Sequence, residues 1–448
     1  MNTKENHETL SLTSMKIAGV IGMPPITKSE ISIRLQALIN SIPDDVLPDD
    51  AIYIDTKYSG SNNGYKGTIT APFKTLPAFE NGKTYKVKRG SVIPNITFSQ
   101  KTDVIISEYG QGDRAKISST GTVHLITFQN STGCRVVGFE VKGSINAISL
   151  THADNSPKCG VYGCDMSEAH HSNNNGFGLH AFYSDDFELI DNKIDNVALD
   201  GIYTKFCKRI KVTGNHFTRL NQRYFTNPNQ SASSGDGIQL DGTYDGFYIA
   251  FNVVDRSDGA GNKYGLILNS AAGLSDEATG TIEHNVFISN NNVSSCIHIE
   301  RGNGIQVLNN EFVGAGGQQA IRLGGKFVKN TLIKGNTFRN FDRGVGVGAT
   351  YPGGYPATNT IVEDNIFYNV KQYHVWVDKS KVTLNNNTHM RTTDKGIAIF
   401  NYGGGSAVIE SGHYSIAGME GSFGAGTNPT YGPINFIDPE NGNFEILN

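Results

Sequence analysis

The chain has 448 residues, with 38 Lys and Arg against 42 Asp and Glu, for a formal net charge of −4. No basic tract forms a nucleic-acid stripe and no apolar run reaches the length of a membrane span, so neither nucleic acid nor membrane is an expected partner. With 52 Gly, 14 Pro and only 18% charged residues, the composition belongs to a turn-rich β protein and not to a helical one.

In chain order, residues 1–26 read as an arm or docking segment. Lys4 is followed by polar and acidic residues, and the weakly apolar run Ile17–Met23 ends at two prolines, so no convincing signal peptide is present. The spacing predicts a short helix over 28–41. Thr27 can cap it, Glu30 completes a capping box, and Ile31, Leu35, Leu38 and Ile39 form one apolar side before Pro43 and Pro48. Residues 1–50 are therefore expected to cover the open end of a β-stack occupying 51–448.

The stack begins at Ala51-Ile-Tyr-Ile-Asp-Thr, followed by Gly60-Ser-Asn-Asn-Gly64 and Ala71-Pro-Phe-Lys-Thr-Leu76. Beyond it, an Asn, one residue, then an apolar residue recurs at Asn192, Asn215, Asn252, Asn285, Asn310, Asn336 and Asn365. The intervals of 23, 37, 33, 25, 26 and 29 residues suit similar coils joined by turns of variable length. Stacked Asn side chains at a shared corner can bond one another and the turn backbone. Asn221–Gly235, Asp255–Lys263, Ser270–Gly280 and Thr350–Asn359 break the rhythm and are expected to wall a groove. The five Cys, at 134, 159, 164, 207 and 296, are odd in number and lack metal spacing, so buried rungs are expected. His170-His171 before Asn173-Asn-Asn175 reads as a turn and not as a metal site.

A second set of segments supplies a wall. Its members include Ala147-Ile-Ser-Leu, Gly178-Leu-His-Ala, Gly201-Ile-Tyr-Thr, Gly237-Ile-Gln-Leu, Cys296-Ile-His-Ile, Ala320-Ile-Arg-Leu, His374-Val-Trp-Val and Gly396-Ile-Ala-Ile. Period-two alternation puts their second and fourth positions inside. One outward column then runs Ser149, His180, Tyr203, Gln239, Ile267, His298, Arg322, Gly346, Trp376 and Ala398. The other runs Thr151, Phe182, Lys205, Asp241, Asn269, Glu300, Gly324, Gly348, Asp378 and Phe400. Polar and aromatic groups concentrate between 180 and 322, the expected ligand face. The gaps lack the helices of a doubly wound fold.

Asp241 and Glu300 stand two coils apart, about 9–10 Å at 4.8 Å per coil, near the upper end of the roughly 6.5–9.5 Å range of inverting glycosidases. One acid would protonate the glycosidic oxygen while the other activates water. Asp236 is a third candidate, and Asp200 one coil earlier would lie about 5 Å from it. For elimination on a uronate, Tyr203, Lys205, His298 and Arg322 could pair with the carboxylate and move protons. Calcium could assist such a lyase through Asp236, Asp241, Asn269 and Glu300, but no calcium-loop spacing marks it; a hydrolase requires no cofactor. Trp376, Tyr373 and Phe400 could stack on sugar faces.

The opening segments from Ala51, the repeat, and the closing Asn435-Phe-Ile-Asp-Pro-Glu-Asn-Gly-Asn-Phe-Glu-Ile446 together resemble right-handed parallel β-helix proteins of the pectate-lyase-like superfamily. That resemblance implies an all-β, single-stranded solenoid and a polysaccharide hydrolase, lyase or epimerase. Phage tailspikes share the architecture, which implies a surface glycan substrate, homotrimerisation or tail attachment through the N-terminal segment, and an extracellular or virion location. The reading is a polysaccharide-degrading enzyme, hydrolase before lyase. Asp236, Asp241 and Glu300 form its acid/base centre, and His180, Tyr203, Lys205, Gln239, Asn269, His298, Arg322 and Trp376 hold the substrate. A noncatalytic glycan-binding or structural phage protein is the competing class.

Overall fold

A computed structural model describes residues 50–446 except 61–66, 120, 122–123, 145, 171–175, 223–234, 243, 258–263, 270–277, 291–292, 316–318, 349–355, 391–396, 403–405, 410–411, 415–428, 432–435 and 439–442. The arm and helix expected within 1–49, most of the four expected groove turns, and His171 to Asn175 lie outside the described residues. Among the described residues all regular structure is β, and no helix is long and apolar enough to cross a membrane.

The chain divides into two compact units, with the boundary at Gln230 and Ser231. Each unit is a parallel β-solenoid whose coils contribute one short strand to each of three sheets. In the first unit a representative coil runs Phe177–Phe182, Glu188–Ile190 and Lys193–Val197. The next coil, Ile202–Lys205, Lys211–Thr213 and His216–Thr218, pairs with it in parallel on all three sheets. The second unit repeats this plan. Ile238–Asp241, Tyr264–Asn269, Ser295–Asn303, Gln319–Lys329, Arg343–Gly348, Tyr373–Asp378 and Ile397–Tyr402 form its wall sheet in that order.

Alternation explains why these residues fold this way. Ile238 and Leu240, Leu266 and Leu268, Ile297 and Ile299, and Ile321 and Leu323 are fully buried inside the second unit, as period-two strands require. On another sheet Phe287, Phe312, Phe338 and Phe367 stack along the interior at centroid spacings of 5.3, 5.0 and 4.8 Å. This places each ring over the same position one coil on.

The Asn corner is a buried hydrogen-bonded ladder. In the second unit the Nδ2 group of each Asn donates to Oδ1 of the next, from Asn252 through Asn285, Asn310, Asn336 and Asn365 to Asn387, at 2.9–3.0 Å. Each of those Oδ1 atoms also accepts the preceding Asn's backbone N–H at 2.8–3.1 Å. Asn192 and Asn215 make the same pair in the first unit. The last rung, Asn387, lies outside the recognised repeat. All five Cys are buried and free.

Two wall strands take a register other than the expected one. In the first unit His152, not Ser149, pairs with His180, and Asp154, not Thr151, pairs with Phe182. Ser149 and Thr151 are fully buried, their hydroxyls held by His124 Nδ1 at 2.7 Å and Met166 Sδ at 3.6 Å. In the second unit Phe400, not Ala398, pairs with Trp376, and Tyr402 pairs with Asp378.

Candidate functional site

The second unit gathers most of the expected site on one wall sheet. Asp241 pairs with Asn269, and Leu268 pairs with Ile299, so Glu300 occupies the next place in the same column. The two carboxylates are two coils apart, about 9–10 Å at the spacing of parallel strands. Asp241 is 9% exposed, while Glu300 keeps 24% of its side chain open. Gln239, Ile267, His298, Arg322, Gly346 and Trp376 follow one another in the adjacent column.

His298 is outward in register yet fully buried. The Tyr264 ring lies 4.7 Å from its imidazole centroid to centroid, Nε2 is 3.4 Å from the Gly324 carbonyl, and Nδ1 is 3.7 Å from Glu300 Oε1. A hydrogen bond from Nε2–H to that carbonyl leaves the Nδ1 lone pair facing Glu300. Burial, reinforced by the Arg322 guanidinium, pushes the imidazole down from 6.5 to about 3. His298 therefore gives Glu300 packing support from behind, without a hydrogen bond to it, and, being fully buried, is not itself in reach of a chain lying on the wall.

A bulge shapes this support. Ile299 pairs with Leu323 but Arg301 pairs with Phe327, so extra residues containing Gly324-Gly325 fold over the Glu300 backbone. A Cβ at Gly325 would fall onto the Glu300 carbonyl, and only Gly permits that approach. Behind the acids, Tyr244 is fully buried and donates its hydroxyl to the Arg301 carbonyl at 3.1 Å. Burial raises the Tyr244 phenol, Arg301 lowers it, and Glu300 and Asp241 both raise it, which places Tyr244 within the field of both carboxylates. Neither Tyr244 nor Arg301 is among the site residues expected from sequence. The available signal was Arg301 at an inward position after Ile297 and Ile299.

Asp236 sits before its strand, 4% exposed, with Oδ1 accepting the Tyr264 backbone N–H at 3.0 Å. That bond ties two successive coils together. Among the described residues no group of three or more His, Cys, Asp or Glu side chains is arranged to hold a metal. Asp241, Asn269 and Glu300 line up three oxygen-bearing side chains, fewer than the 6–8 oxygens calcium takes.

The remaining expected residues belong to the first unit. His180 pairs with Tyr203, and Phe182 with Lys205. His180 stacks on Phe177 at 4.5 Å, meets Phe182 edge-on at 4.5 Å, and lies 5.5 Å from both Tyr203 and His152. His124 stacks on His152 at 4.2 Å. Burial and neighbouring imidazoles push His124 to about 4 and His180 to about 3, so this ladder is neutral at ordinary pH. The Lys205 ammonium rests over the Phe206 ring at 5.4 Å. Asp200 is also in this unit and is buried.

His298 carries a pH prediction. Its unfolded form takes a proton near 6.5, but the folded form does not until about 3. Stability from the neutral buried ring is therefore present above 6.5 and lost as pH falls towards 3. By urea unfolding, His298→Asn is expected to lose about 2–3 kcal/mol less than wild type between about pH 7 and pH 4.5. Parallel pH dependences in the two proteins would refute the buried neutral imidazole.

No family model matches the sequence, and no curated protein does. Solved structures do resemble the fold. A PL6 alginate lyase in complex with a trisaccharide aligns with a TM-score of 0.57 at 10% identity, covering 89% of this chain and 91% of that one. The alginate lyase AlyF-OU02 aligns at 0.55 and 10% identity over 80% and 84%. The mannuronan C-5 epimerase AlgE6 A-module of Azotobacter vinelandii aligns at 0.52 and 13% identity over 79% and 92%. At these identities the likeness shows the parallel β-helix fold.

Proposed function

We propose that this protein is a polysaccharide-degrading enzyme, a glycoside hydrolase acting through Asp241 and Glu300. The observation that carries the reading is the pair of carboxylates in one column of the wall sheet, separated by a single coil bearing Asn269. Their spacing of about 9–10 Å leaves room for a sugar unit and a water, as inversion requires. Glu300, the more open acid, would protonate the glycosidic oxygen as the bond to the anomeric carbon breaks. Asp241 would take a proton from the water that attacks the opposite face. Asn269, between them, would hold a hydroxyl of the same sugar, and Gln239 the next one.

Elimination on a uronate polymer is the second reading. It draws on Arg322 beside this column and on the alginate-active names of the similar structures. Calcium, if required there, would be held by Asn269 with one of the two acids and not by both, because oxygens bound at 2.3–2.6 Å to one ion cannot span about 9–10 Å; substrate and water would complete its shell. The experiment is incubation with a panel of bacterial, algal and plant polysaccharides, followed by mass spectrometry. Saturated oligosaccharides support hydrolysis, while products lighter by one water and carrying a new double bond support elimination. Unchanged polymer throughout the panel sinks both.

A further inference from the structure

One corner of the first unit departs from its neighbours. Gln129, Asp154, Phe182 and Lys205 occupy one column of the wall sheet, and the residue after each one turns the chain. The first two turn residues are Asn130 and Asn155, at φ of 50° and 46°, with the Asn155 Nδ2 group donating to Asn130 Oδ1 at 2.9 Å. The next two are Tyr183 and Phe206, at φ of 48° and 58°. Asn enters this left-handed region readily, whereas a bulky aromatic residue meets steric conflict there. The chain therefore keeps two aromatic rings where Asn would fit better.

Burial does not account for them. Tyr183 is 57% exposed, and its ring stacks on Phe206 with centroids 5.1 Å apart at an interplanar angle of 20°. A strained backbone that presents an exposed side chain is the pattern of a binding surface and not of a core. The half-buried Phe182 continues the apolar edge onto the wall.

A cation completes the patch. The Lys205 ammonium lies 5.4 Å from the Phe206 ring centroid. The acids of the adjoining turn, Asp185 and Asp186, are held by Arg209 at 3.4 and 2.7 Å. Asp154 is two coils from Lys205, about 10 Å at the coil spacing, beyond the roughly 8 Å over which physiological salt screens charge. Flat rings beside an ammonium group fit a pyranose that carries an acidic group. Its C–H face lies on the aromatic surface while its anion meets Lys205. A second copy of the chain meeting the same patch about a two-fold axis would bring two Lys205 ammonium groups together.

We propose that Phe182, Tyr183, Lys205 and Phe206 form a holding platform for an acidic polysaccharide, outside the pair of acids. The platform takes its ligand class from the glycan-degrading reading above and adds to it a second point of attachment, on the first unit. Two attachments to one polymer raise its residence on the protein without any new contact at the acids.

The experiment is native electrophoresis of the full-length Asp241→Asn protein through gels containing alginate, polygalacturonate, hyaluronate or, as the neutral control, hydroxyethylcellulose. At least one acidic polymer is expected to retard the protein more than the control does. Adding Tyr183→Asn with Phe206→Asn should raise the Kd read from retardation about tenfold. Because Asn suits the left-handed region, the urea midpoint of that variant should be unchanged or higher. Lys205→Gln, which leaves the corner intact, should weaken binding of the acidic polymer and not of the control. Equal retardation with and without the two Asn substitutions overturns the platform, as does the absence of retardation by every acidic polymer. An unchanged Kd in Lys205→Gln overturns its acidic specificity. A wild-type dimer in sedimentation velocity that the two Asn substitutions dissociate would give the patch to a second copy instead. Failure of the catalytic reading shows differently, as wild type retarded by an acidic polymer from which it releases no product.

Discussion

Asp241→Asn and Glu300→Gln should each lower kcat about 10³-fold on the polymer that the wild type cleaves, with KM and unfolding midpoint little changed. Positioned acid and base groups contribute about 10²–10⁴-fold each, and both substitutions preserve side-chain volume while removing the transferable proton or the base. The two should then part. If Glu300 protonates the leaving oxygen, Glu300→Gln regains most of its rate on an aryl glycoside whose leaving group needs no proton. Asp241→Asn gains nothing, because the water still lacks a base. Full activity of either variant on the polymer would remove that residue from the centre. Equal rescue of both by the aryl substrate would exchange the assignment for one in which neither acts on water.

Asn310→Leu should cost roughly 3–6 kcal/mol of unfolding free energy, read from urea unfolding with an unchanged slope. Leu keeps the volume, but four hydrogen bonds disappear. Nδ2 donates to the Ile282 carbonyl at 2.9 Å and to Asn336 Oδ1 at 3.0 Å. Oδ1 accepts the Asn285 backbone N–H and the Asn285 side-chain amide, both at 2.9 Å. Asn310 is fully buried, so no water replaces these partners and each orphaned group bears its desolvation penalty. A loss below about 1 kcal/mol would show that the ladder is incidental to stability and that the Phe287–Phe367 stack carries the coils.

The ladder was legible in sequence because an Asn at the start of each strand corner is a polar interruption in an apolar rhythm, and only a corner that satisfies its amide explains seven repeats. The column of Asp241, Asn269 and Glu300 was legible for a related reason. Ile238 and Leu240, Leu266 and Leu268, and Ile297 and Ile299 bracket one outward position each, and the parity of a strand fixes the rest. Where that bracket was ambiguous the reading slipped. Ile397 and Ile399 are equivalent by pattern, so Ala398 stood where the register puts Phe400. Ser149 and Thr151 are small polar residues turned inward, which inverted the expected parity and hid His152.

The sequence by itself determined the class of fold, the interior of most coils and the corner at which coils join, because alternation and side-chain hydrogen bonding act within a few residues. Only the tertiary structure decided what surrounds an outward side chain. His298 occupies the expected position but is buried by Tyr264 and by the Gly324 bulge, and beside Trp376 the Gln319 amide occupies the place that a side chain on Gly346 would take. Tyr244 reaches Arg301 across 57 residues of chain. Such contacts depend on which coil stacks on which and on the length of the turns between them, and those are long-range quantities that local pattern does not encode.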